Sequence, residues 1–478
     1  MFETNRFFCL TALSLLLLVV PADATPHLDY VITCESLQKS ELELVLTVTG
    51  WEPDTLSLQG VPVYLDNPLA EGNGAIVSRL EVSDGSGEEP SGLRRVEAGS
   101  AGGLVLQITP VPDTLVVRFK ARVAYRHSRQ TRDYPIHLPF MDKDQAWLYG
   151  NYLFCHPRLD VAEPASVRTP VDIRLSFDLP DSVPLVGVPS AELAFENLHE
   201  LLSIQFGLGR FLVEETEADG VPVSLIYKNG DEFDEAERET LSERTVATVA
   251  DLKAFFGSIP YPTCSFLYFR DSGTGGLEGS YACQAYVPAG VDLSSLSDRN
   301  SRVFAVTVLH EFFHTWNPIT LFALEDPWFK EGVTSYYGNV LSMRLGFYTV
   351  EDYRLDWERD AVRLEDGSLV GDIPLTDPRI WQKEYDGEDW RHLSYTRGHA
   401  VAMLLDVAIR EVSGNNHSLD DVMRLLARRH LHGGYTHEQL MEAIHAATSY
   451  DAIPFFDDYV DGNRVPTVED VLILFHEG

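Results

Sequence analysis

The sequence predicts a multidomain α+β protein in which a β-rich N-terminal part precedes a helix-rich remainder. The chain has 478 residues, too many for one compact domain, so two or three domains are expected. Short strand patterns run to about residue 180, and longer helical patterns follow. We expect an N-terminal antiparallel β-sandwich over 25–185, an α+β domain over 186–345 and a helical C-terminal domain over 346–478.

Residues 1–24 have the layout of a cleaved secretory signal. Arg6 precedes an apolar run of 14 residues, 7–20, and Pro-Ala-Asp-Ala at 21–24 supplies a cleavage site of small residues. A membrane anchor is the alternative, but a span needs about 20 residues. We expect cleavage after Ala24, export to the periplasm or the extracellular medium, and no stable membrane insertion afterwards.

The composition and charge restrict the classes of partner. Hydrophobic residues make up 45% of the chain and charged residues 23%, so it can bury real cores. The formal net charge of −36 at pH 7 argues against nucleic acid or an anionic membrane as a partner. A solvated acidic surface explains this charge most simply, and the oligomeric state cannot be read from it.

Four cysteines follow the leader: Cys34, Cys155, Cys264 and Cys283. An oxidising compartment would permit three pairings among them. The favoured pair is Cys264 with Cys283, because they flank a glycine-rich loop, although buried free thiols fit nearly as well in a chain this large.

The N-terminal strands are predicted from alternating or short apolar runs. These runs lie at 42–48, 104–108, 115–125 and 171–179, and clusters of Gly, Pro, Asp and Ser separate them. Repeated short strands with such punctuation favour an antiparallel sandwich.

The second part of the chain mixes helices with one clear strand. A strand at 264–269 leads into the glycine-rich loop 273–276, and a helix capped by Asn300 or Ser301 stops before Pro318. Further helices are predicted at 242–256, 331–345, 398–412, 418–429 and 436–447, the last two opening with capping boxes.

Residues 310–314 read His-Glu-Phe-Phe-His and place two imidazoles on one helix face. His310 and His314 are four residues apart, so both can reach one Zn²⁺ at about 2.0–2.1 Å. Glu311 is rotated around the helix and can act on a metal-bound water without ligating the metal. Two satisfied histidines on an amphipathic helix would give the same pattern, and the motif alone does not decide between these interpretations.

Glu331 is the candidate for the third protein ligand that a catalytic zinc needs. Sixteen residues separate it from His314, enough for a turn and a returning helix. An isolated glutamate at a helix start would instead stabilise the helix dipole. Beside the two histidines the ligand role is favoured, and we expect one Zn²⁺ per chain on His310, His314 and Glu331.

Four blocks, in the same order, resemble the glycyl aminopeptidase family, metallopeptidase family 61 of the gluzincin group. Residues 310–317 resemble its signature helix, and residues 328–337 resemble its third-ligand helix. The Gly-Gly-Leu-Glu segment 275–278 resembles its Gly-Gly-Leu-Glu-His edge strand. Residues 395–398, Tyr-Thr-Arg-Gly, resemble the Tyr-x-Lys-Gly element of gluzincin aminopeptidases.

The resemblance implies a thermolysin-like catalytic domain and an aminopeptidase that acts on peptide substrates. Tyr395 would donate its phenol to the developing oxyanion, and Glu278 would meet the substrate's α-ammonium. A helix-entry aromatic and a solvated loop acid are the plainer interpretations of these two side chains. The implied substrate-binding residues are Gly275, Gly276, Leu277 and Glu278.

The chain also departs from the family pattern. Gly279 replaces the histidine that ends the edge-strand block, and Pro318 follows Asn317 where basic residues are common. The C-terminal PDZ domain of many members is not expected, since the chain ends at Gly478. The glycine preference of the family is therefore not transferred to this chain.

Two other functions stay open. A zinc endopeptidase of the same fold would cleave peptides whose N-terminus is blocked. A secreted binding protein with a degenerate peptidase domain would hold no metal. His430 and His432 could also bind a metal, but a surface helix terminus is the favoured interpretation.

Overall fold

The computed structural model describes residues 25–59, 75–98, 103–123, 139–157, 171–271, 273–366, 373–382, 391–467 and 470. The leader predicted over residues 1–24 lies outside these ranges. Within them, no helix is both long enough and apolar enough to cross a bilayer.

Three sheets form the N-terminal part, and two short helices lie beside them. Their strands are β1 (His27–Thr33), β2 (Glu41–Thr49), β3 (Leu56–Gln59), β4 (Ala75–Asp84), β5 (Leu93–Ala98), β6 (Gly103–Ile108), β7 (Thr114–Val123), β8 (Phe140–Met141), β9 (Gln145–Tyr149), β10 (His156–Pro157), β11 (Asp172–Asp178), β12 (Leu185–Val186), β13 (Glu192–Phe195) and β14 (Gln205–Gly209), with helices α1 (Gly150–Leu153) and α2 (Leu198–Leu202). A six-stranded sheet has the order β13-β11-β1-β2-β7-β4, and two four-stranded sheets have the orders β10-β3-β6-β5 and β12-β14-β9-β8.

Alternation of side chains explains how these sheets bury one face. In β2 every second residue from Leu42 to Val48 is buried, because successive side chains of a strand point to opposite faces. Residues of all three sheets join one apolar cluster. The sequence predicts antiparallel pairing throughout, but β1 and β11 run parallel. A long connection separates these two strands in sequence, which is what parallel pairing requires.

A five-stranded sheet and a group of helices form the remainder. The elements are β15 (Leu212–Ala218), β16 (Val221–Tyr227), α3 (Glu235–Phe256), β17 (Cys264–Asp271), β18 (Gly275–Leu277), β19 (Ala282–Pro288), α4 (Arg299–Phe313), β20 (Leu321–Ala323), α5 (Pro327–Arg344), α6 (Val350–Asp366), α7 (Arg379–Gln382), α8 (Gly398–Ser413), α9 (Leu419–His430), β21 (Gly433–Tyr435), α10 (His437–Thr448) and α11 (Ile453–Tyr459), with a 3₁₀ turn at Gly230–Glu232 and π-helical turns at Thr315–Thr320 and His392–Arg397. A further 3₁₀ turn, Leu37–Lys39, belongs to the N-terminal part and lies between β1 and β2. The sheet order is β15-β16-β17-β19-β18, and β18 is an antiparallel edge strand against β19.

The architecture is thus a mixture of helices and several sheets, which agrees with the predicted multidomain α+β class. One apolar cluster runs from Ala218 in the five-stranded sheet to Val460 after α11. The capping boxes expected at Ser418 and Thr436 are present and open α9 and α10. The predicted boundaries near residues 185 and 345 stay predictions.

Two helices begin earlier than their apolar pattern indicates. Helix α3 begins at Glu235 rather than 242, because a capping box of Asp234 and Glu237 starts it within a charged stretch. Helix α5 begins with Pro327 at its first position, so Glu331 lies in its second turn and does not open the helix as expected.

The four cysteines after the leader are buried free thiols, so the favoured Cys264–Cys283 pair does not form. The β17–β19 register sets Cys283 opposite Phe266, two residues beyond Cys264. That offset, with the spacing between strands, separates the two Cα atoms by about 8 Å, beyond the usual reach of a disulfide.

Candidate metal centre

Helix α4 carries the His-Glu-Phe-Phe-His segment at its C-terminal end. The Asp298 side chain caps the helix by accepting from the Asn300 N–H at 2.8 Å, in place of the predicted caps Asn300 or Ser301. Its apolar face, which includes Phe304 and Leu309, packs into the core beside the sheet. The helix ends at Phe313, with His314 as a cap that keeps helical dihedrals. Both histidines therefore keep the one-turn spacing that the sequence predicts.

Glu331 of α5 faces the two imidazoles. Its Oε2 atom lies 3.5 Å from His310 Nε2 and 3.4 Å from His314 Nε2, and the two Nε2 atoms are 3.1 Å apart. Tetrahedral bonds of about 2.0–2.1 Å to a zinc ion would place ligand atoms about 3.3–3.4 Å apart. The Oε2 atom is buried and has no hydrogen-bond partner within the described ranges. The two imidazoles and the carboxylate fit a Zn²⁺ ion in donor type and in spacing.

The turn after α4 fixes the orientation of His314. Its Nδ1 lies 2.6 Å from the carbonyl oxygen of Asn317, so Nδ1 carries the proton and Nε2 keeps its lone pair for a ligand. The Asn317 amide donates in turn to the Phe329 carbonyl at 2.8 Å and to Thr334 Oγ1 at 3.1 Å. This asparagine therefore ties the helix of the histidines to the helix of Glu331. The sequence indicates it only as part of a motif, without this role.

Glu311 is buried beside the three candidate ligands. Burial raises its pKa well above the ordinary value, and the negative charges of Glu278 and Glu331 raise it further. Gly276 of β18 lies directly against it: a Cβ built on this glycine would be 2.3 Å from Glu311 Cγ. Only a residue without a side chain allows the edge strand to approach so closely.

The edge strand brings Glu278 to the same place. One carboxylate oxygen of Glu278, one of Glu311 and a ring nitrogen of His314 all lie within 4.8 Å of one another. Gln205 holds the strand from the neighbouring sheet, since its amide donates to the carbonyls of Leu277 at 3.0 Å and Glu278 at 2.6 Å. Gly275, Gly276, Leu277 and Glu278 thus lie along one side of the centre.

Gly279 has no room for the histidine that the family pattern places there. A Cβ at this position would be 2.3 Å from the carbonyl oxygen of Ala282 and 2.7 Å from Gln205 Cγ. Here the Gln205 side chain fills the space. No signal in the sequence connects residue 205 with residue 279.

Glu278 is paired with Lys330, which the sequence analysis did not single out. The Lys330 ammonium lies 2.8 Å from Glu278 Oε1 and 3.2 Å from Glu331 Oε1. Burial is the largest single influence and would raise the pKa of Glu278, but the charge of Lys330, the neighbouring His314 and the hydrogen bond from Lys330 together lower that pKa. The neighbouring His199 is neutral, because burial and the charge of Lys330 lower its pKa to about 4.

Tyr395 lies beside His310 and Glu331, in the π-helical turn before α8. Its ring is nearly parallel to that of His310, with centroids 6.1 Å apart. Burial and then the charge of Glu331 raise the pKa of its phenol well above the ordinary value, so the phenol keeps its proton as a donor. The adjacent Arg397 is buried and donates to the carbonyl oxygens of Ile373, Tyr459 and Gly462.

Helices α5 and α8 touch through their main chains next to these residues. A Cβ built on Gly332, which follows Glu331, would be 2.4 Å from the carbonyl carbon of Gly398. Gly398 is the first residue of α8, three positions after Tyr395. The two helices can approach this closely only because both positions are glycine.

His432 has a partner other than a metal. Its Nδ1 lies 2.9 Å from Oε1 of the buried Glu200. The groups with metal-ligand spacing among the described residues contain neither His430 nor His432.

The chain is similar to known proteins in one part of its sequence and in its fold. Residues 322–395, which include Glu331 and Tyr395, match the M61 glycyl aminopeptidase family. No curated protein matches the chain. The crystal structure of an aminopeptidase N family protein from Idiomarina loihiensis matches 93% of this chain and 78% of its own, with a TM-score of 0.66 and 18% identity. At 18% identity, this structural match shows that the two chains share a fold and shows nothing further. The match over residues 322–395, which include the third candidate ligand and the tyrosine, makes this part of the chain similar to the M61 glycyl aminopeptidases and supports a peptidase.

Proposed function

We propose that this peptidase is a zinc aminopeptidase that releases N-terminal residues from peptides. The proposal of a zinc ion rests on the buried Oε2 atom of Glu331. This atom has no hydrogen-bond partner within the described ranges and faces two imidazole nitrogens at 3.4 and 3.5 Å. A buried carboxylate oxygen left without a donor is costly unless a cation binds it. His310, His314 and Glu331 would hold that ion.

The residues around the ion have separate roles in peptide hydrolysis. Bound Zn²⁺ would supply a Lewis acid that polarises a carbonyl and lowers the pKa of water toward about 7. Glu311 takes the proton of the attacking water and returns it to the leaving amine. Tyr395 donates to the carbonyl oxygen as negative charge develops, a role worth roughly 2.7–4 kcal/mol in comparable sites.

The position of Glu278 favours removal of a single N-terminal residue. In an N-terminal residue the α-nitrogen is about 2.5 Å from the scissile carbonyl carbon. A carboxylate that binds the α-ammonium must therefore lie beside the catalytic groups, and Glu278 lies within 4.8 Å of Glu311 and His314. An endopeptidase has no need for an acid at this point. The Lys330–Glu278 contact favours endopeptidase cleavage as a second candidate, because it occupies that acid.

The remaining parts of the proposal concern fold and location. We propose that the N-terminal sheets form a β-sandwich domain and that the central unit has a thermolysin-like fold. The leader would direct export to the periplasm or the extracellular medium. Peptides are the substrates, and the acidic surface would exclude nucleic acid. Mass spectrometry of the exported protein should find Thr25 as the first residue.

Two measurements test the function. Metal analysis should find about one zinc per chain, which His314→Ala loses and which Glu311→Gln keeps while losing turnover. Peptides with a free N-terminus should be cleaved faster than their acetylated counterparts. Equal rates would contradict the aminopeptidase proposal and indicate an endopeptidase. A protein without zinc and without turnover would contradict the proposal that the chain is an enzyme.

A further inference from the structure

Lys330 lies where a substrate ammonium would bind. Its Nζ is 2.8 Å from Glu278 Oε1, and its side chain is only 15% exposed. An α-ammonium held by Glu278 would occupy the same position as this Nζ, with the same charge and the same donors. The amine subsite is thus filled by a cation of the chain itself.

This contact is compatible with a metal on the three candidate ligands. The two oxygens of Glu331 face different neighbours: Oε2 faces both imidazoles, and Oε1 lies 3.2 Å from Lys330 Nζ. An ion on Oε2 therefore needs no movement of Lys330. The lysine would keep its contact with Glu278 in the loaded protein.

We propose that Lys330 determines specificity by competing with the substrate's α-ammonium for Glu278. This inference rests on the proposed aminopeptidase function and deepens it. A carboxylate can accept from two ammonium groups, but their like charges repel each other, so a substrate ammonium binds tightly at Glu278 only if Lys330 Nζ moves away. The flexible lysine stem allows that movement, and the displaced Nζ can keep Glu331 Oε1 as a partner.

The consequence concerns the class of peptide that the site accepts. Lys330 neutralises Glu278, so the chain gains less from a free N-terminus than the carboxylate alone would provide. Discrimination between free and blocked N-termini should be smaller in the native chain than in a variant whose residue 330 is neutral. The native chain should still cleave free peptides faster than their N-acetylated forms, but by a smaller factor than the carboxylate alone would give.

The first experiment compares Lys330→Met with the native chain. Methionine keeps an unbranched stem of similar length without the charge. The measured quantity is the ratio of kcat/KM for a free peptide to that for its N-acetylated form. We expect this ratio to rise about tenfold or more, the usual weight of a hydrogen bond to a charged group. Lys330→Arg keeps the cation and should leave the ratio near the native value.

Three controls isolate the cause. Lys253→Met removes a different ion-paired lysine, 2.8 Å from Asp219, and should leave the ratio unchanged. In the double variant Lys330→Met with Glu278→Gln the gain should disappear, since the carboxylate that receives the ammonium is gone. Zinc content and the melting temperature of each variant establish that it is loaded and folded.

A binding measurement makes the test independent of turnover. Calorimetric titration with leucinamide, a free amine with a neutral carbonyl end, should give at least about tenfold tighter binding to Lys330→Met than to the native chain. An unchanged affinity together with an unchanged substrate ratio would overturn the competition. If neither kind of peptide is cleaved, the proposed function fails, and the leucinamide titration still decides whether Lys330 occupies the subsite.

Discussion

Gly276 offers the sharpest test of how the edge strand positions Glu311. In Gly276→Ala the new Cβ would be 2.3 Å from Glu311 Cγ and 2.6 Å from the carbonyl oxygen of Gln284. Carbon atoms in contact lie about 3.5–4.0 Å apart, so the strand or the glutamate must move by roughly 1.2 to 1.7 Å. Overpacking of this kind costs about 1–3 kcal/mol of stability. A displacement of about 1 Å at a catalytic group lowers the rate about 100-fold.

The assay is kcat/KM on one peptide substrate, measured together with zinc content and thermal unfolding. Gly273→Ala is the matched control, because a Cβ there meets nothing within 4 Å in the same glycine-rich loop. The control should stay close to native activity, whereas Gly276→Ala should lose most of it and still bind zinc. A folded Gly276→Ala variant within threefold of native activity would refute the role assigned to the close approach.

Three further outcomes are expected. Asn317→Ala keeps the main-chain carbonyl that accepts from His314 but removes the side-chain amide that ties this carbonyl's residue to α5, and it should weaken zinc binding about 10- to 100-fold in competition with a chelator, while the fold stays intact. Tyr395→Phe should lower kcat about 100- to 1000-fold with an unchanged zinc content, and an unchanged kcat would exclude the phenol as oxyanion donor. The contact with Glu200 raises the pKa of His432 above its ordinary value near 6.5. The stability it contributes is complete below that value and is lost as the pH rises through the raised folded pKa, so the melting temperature of His432→Gln should depend less on pH over that window.

The residues that the structure brings together in the candidate metal centre could be predicted, because helical periodicity and local spacing determine most of their arrangement. His310 and His314 share a face by their spacing alone, and a helix placed after a short return brings Glu331 within reach. The position of Glu331 within α5 was wrong by a turn, since Pro327 and the aromatic residues before the glutamate already belong to the helix. From the spacing of apolar residues alone, those residues are predicted to form a connector between helices.

Contacts between distant segments could not be predicted from the sequence. Lys330 and Glu278 are 52 residues apart, and only the antiparallel placement of β18 beside the sheet brings them together. The same holds for Gln205, which comes from another sheet and fills the space beside Gly279. The free thiols of Cys264 and Cys283 follow from a strand register that composition does not determine.

The glycine contact between α5 and α8 has a consequence for engineering and for natural variation. Gly332 adjoins a candidate metal ligand, and Gly398 follows the candidate oxyanion donor by three residues. The distance between these two candidate groups is therefore set by main chain against main chain, without side chains that could be trimmed or extended to adjust it. A larger residue at either glycine would push both helices apart and change both functions at once. The two cannot be tuned separately from this interface, so altered specificity must come from the edge strand and from Lys330.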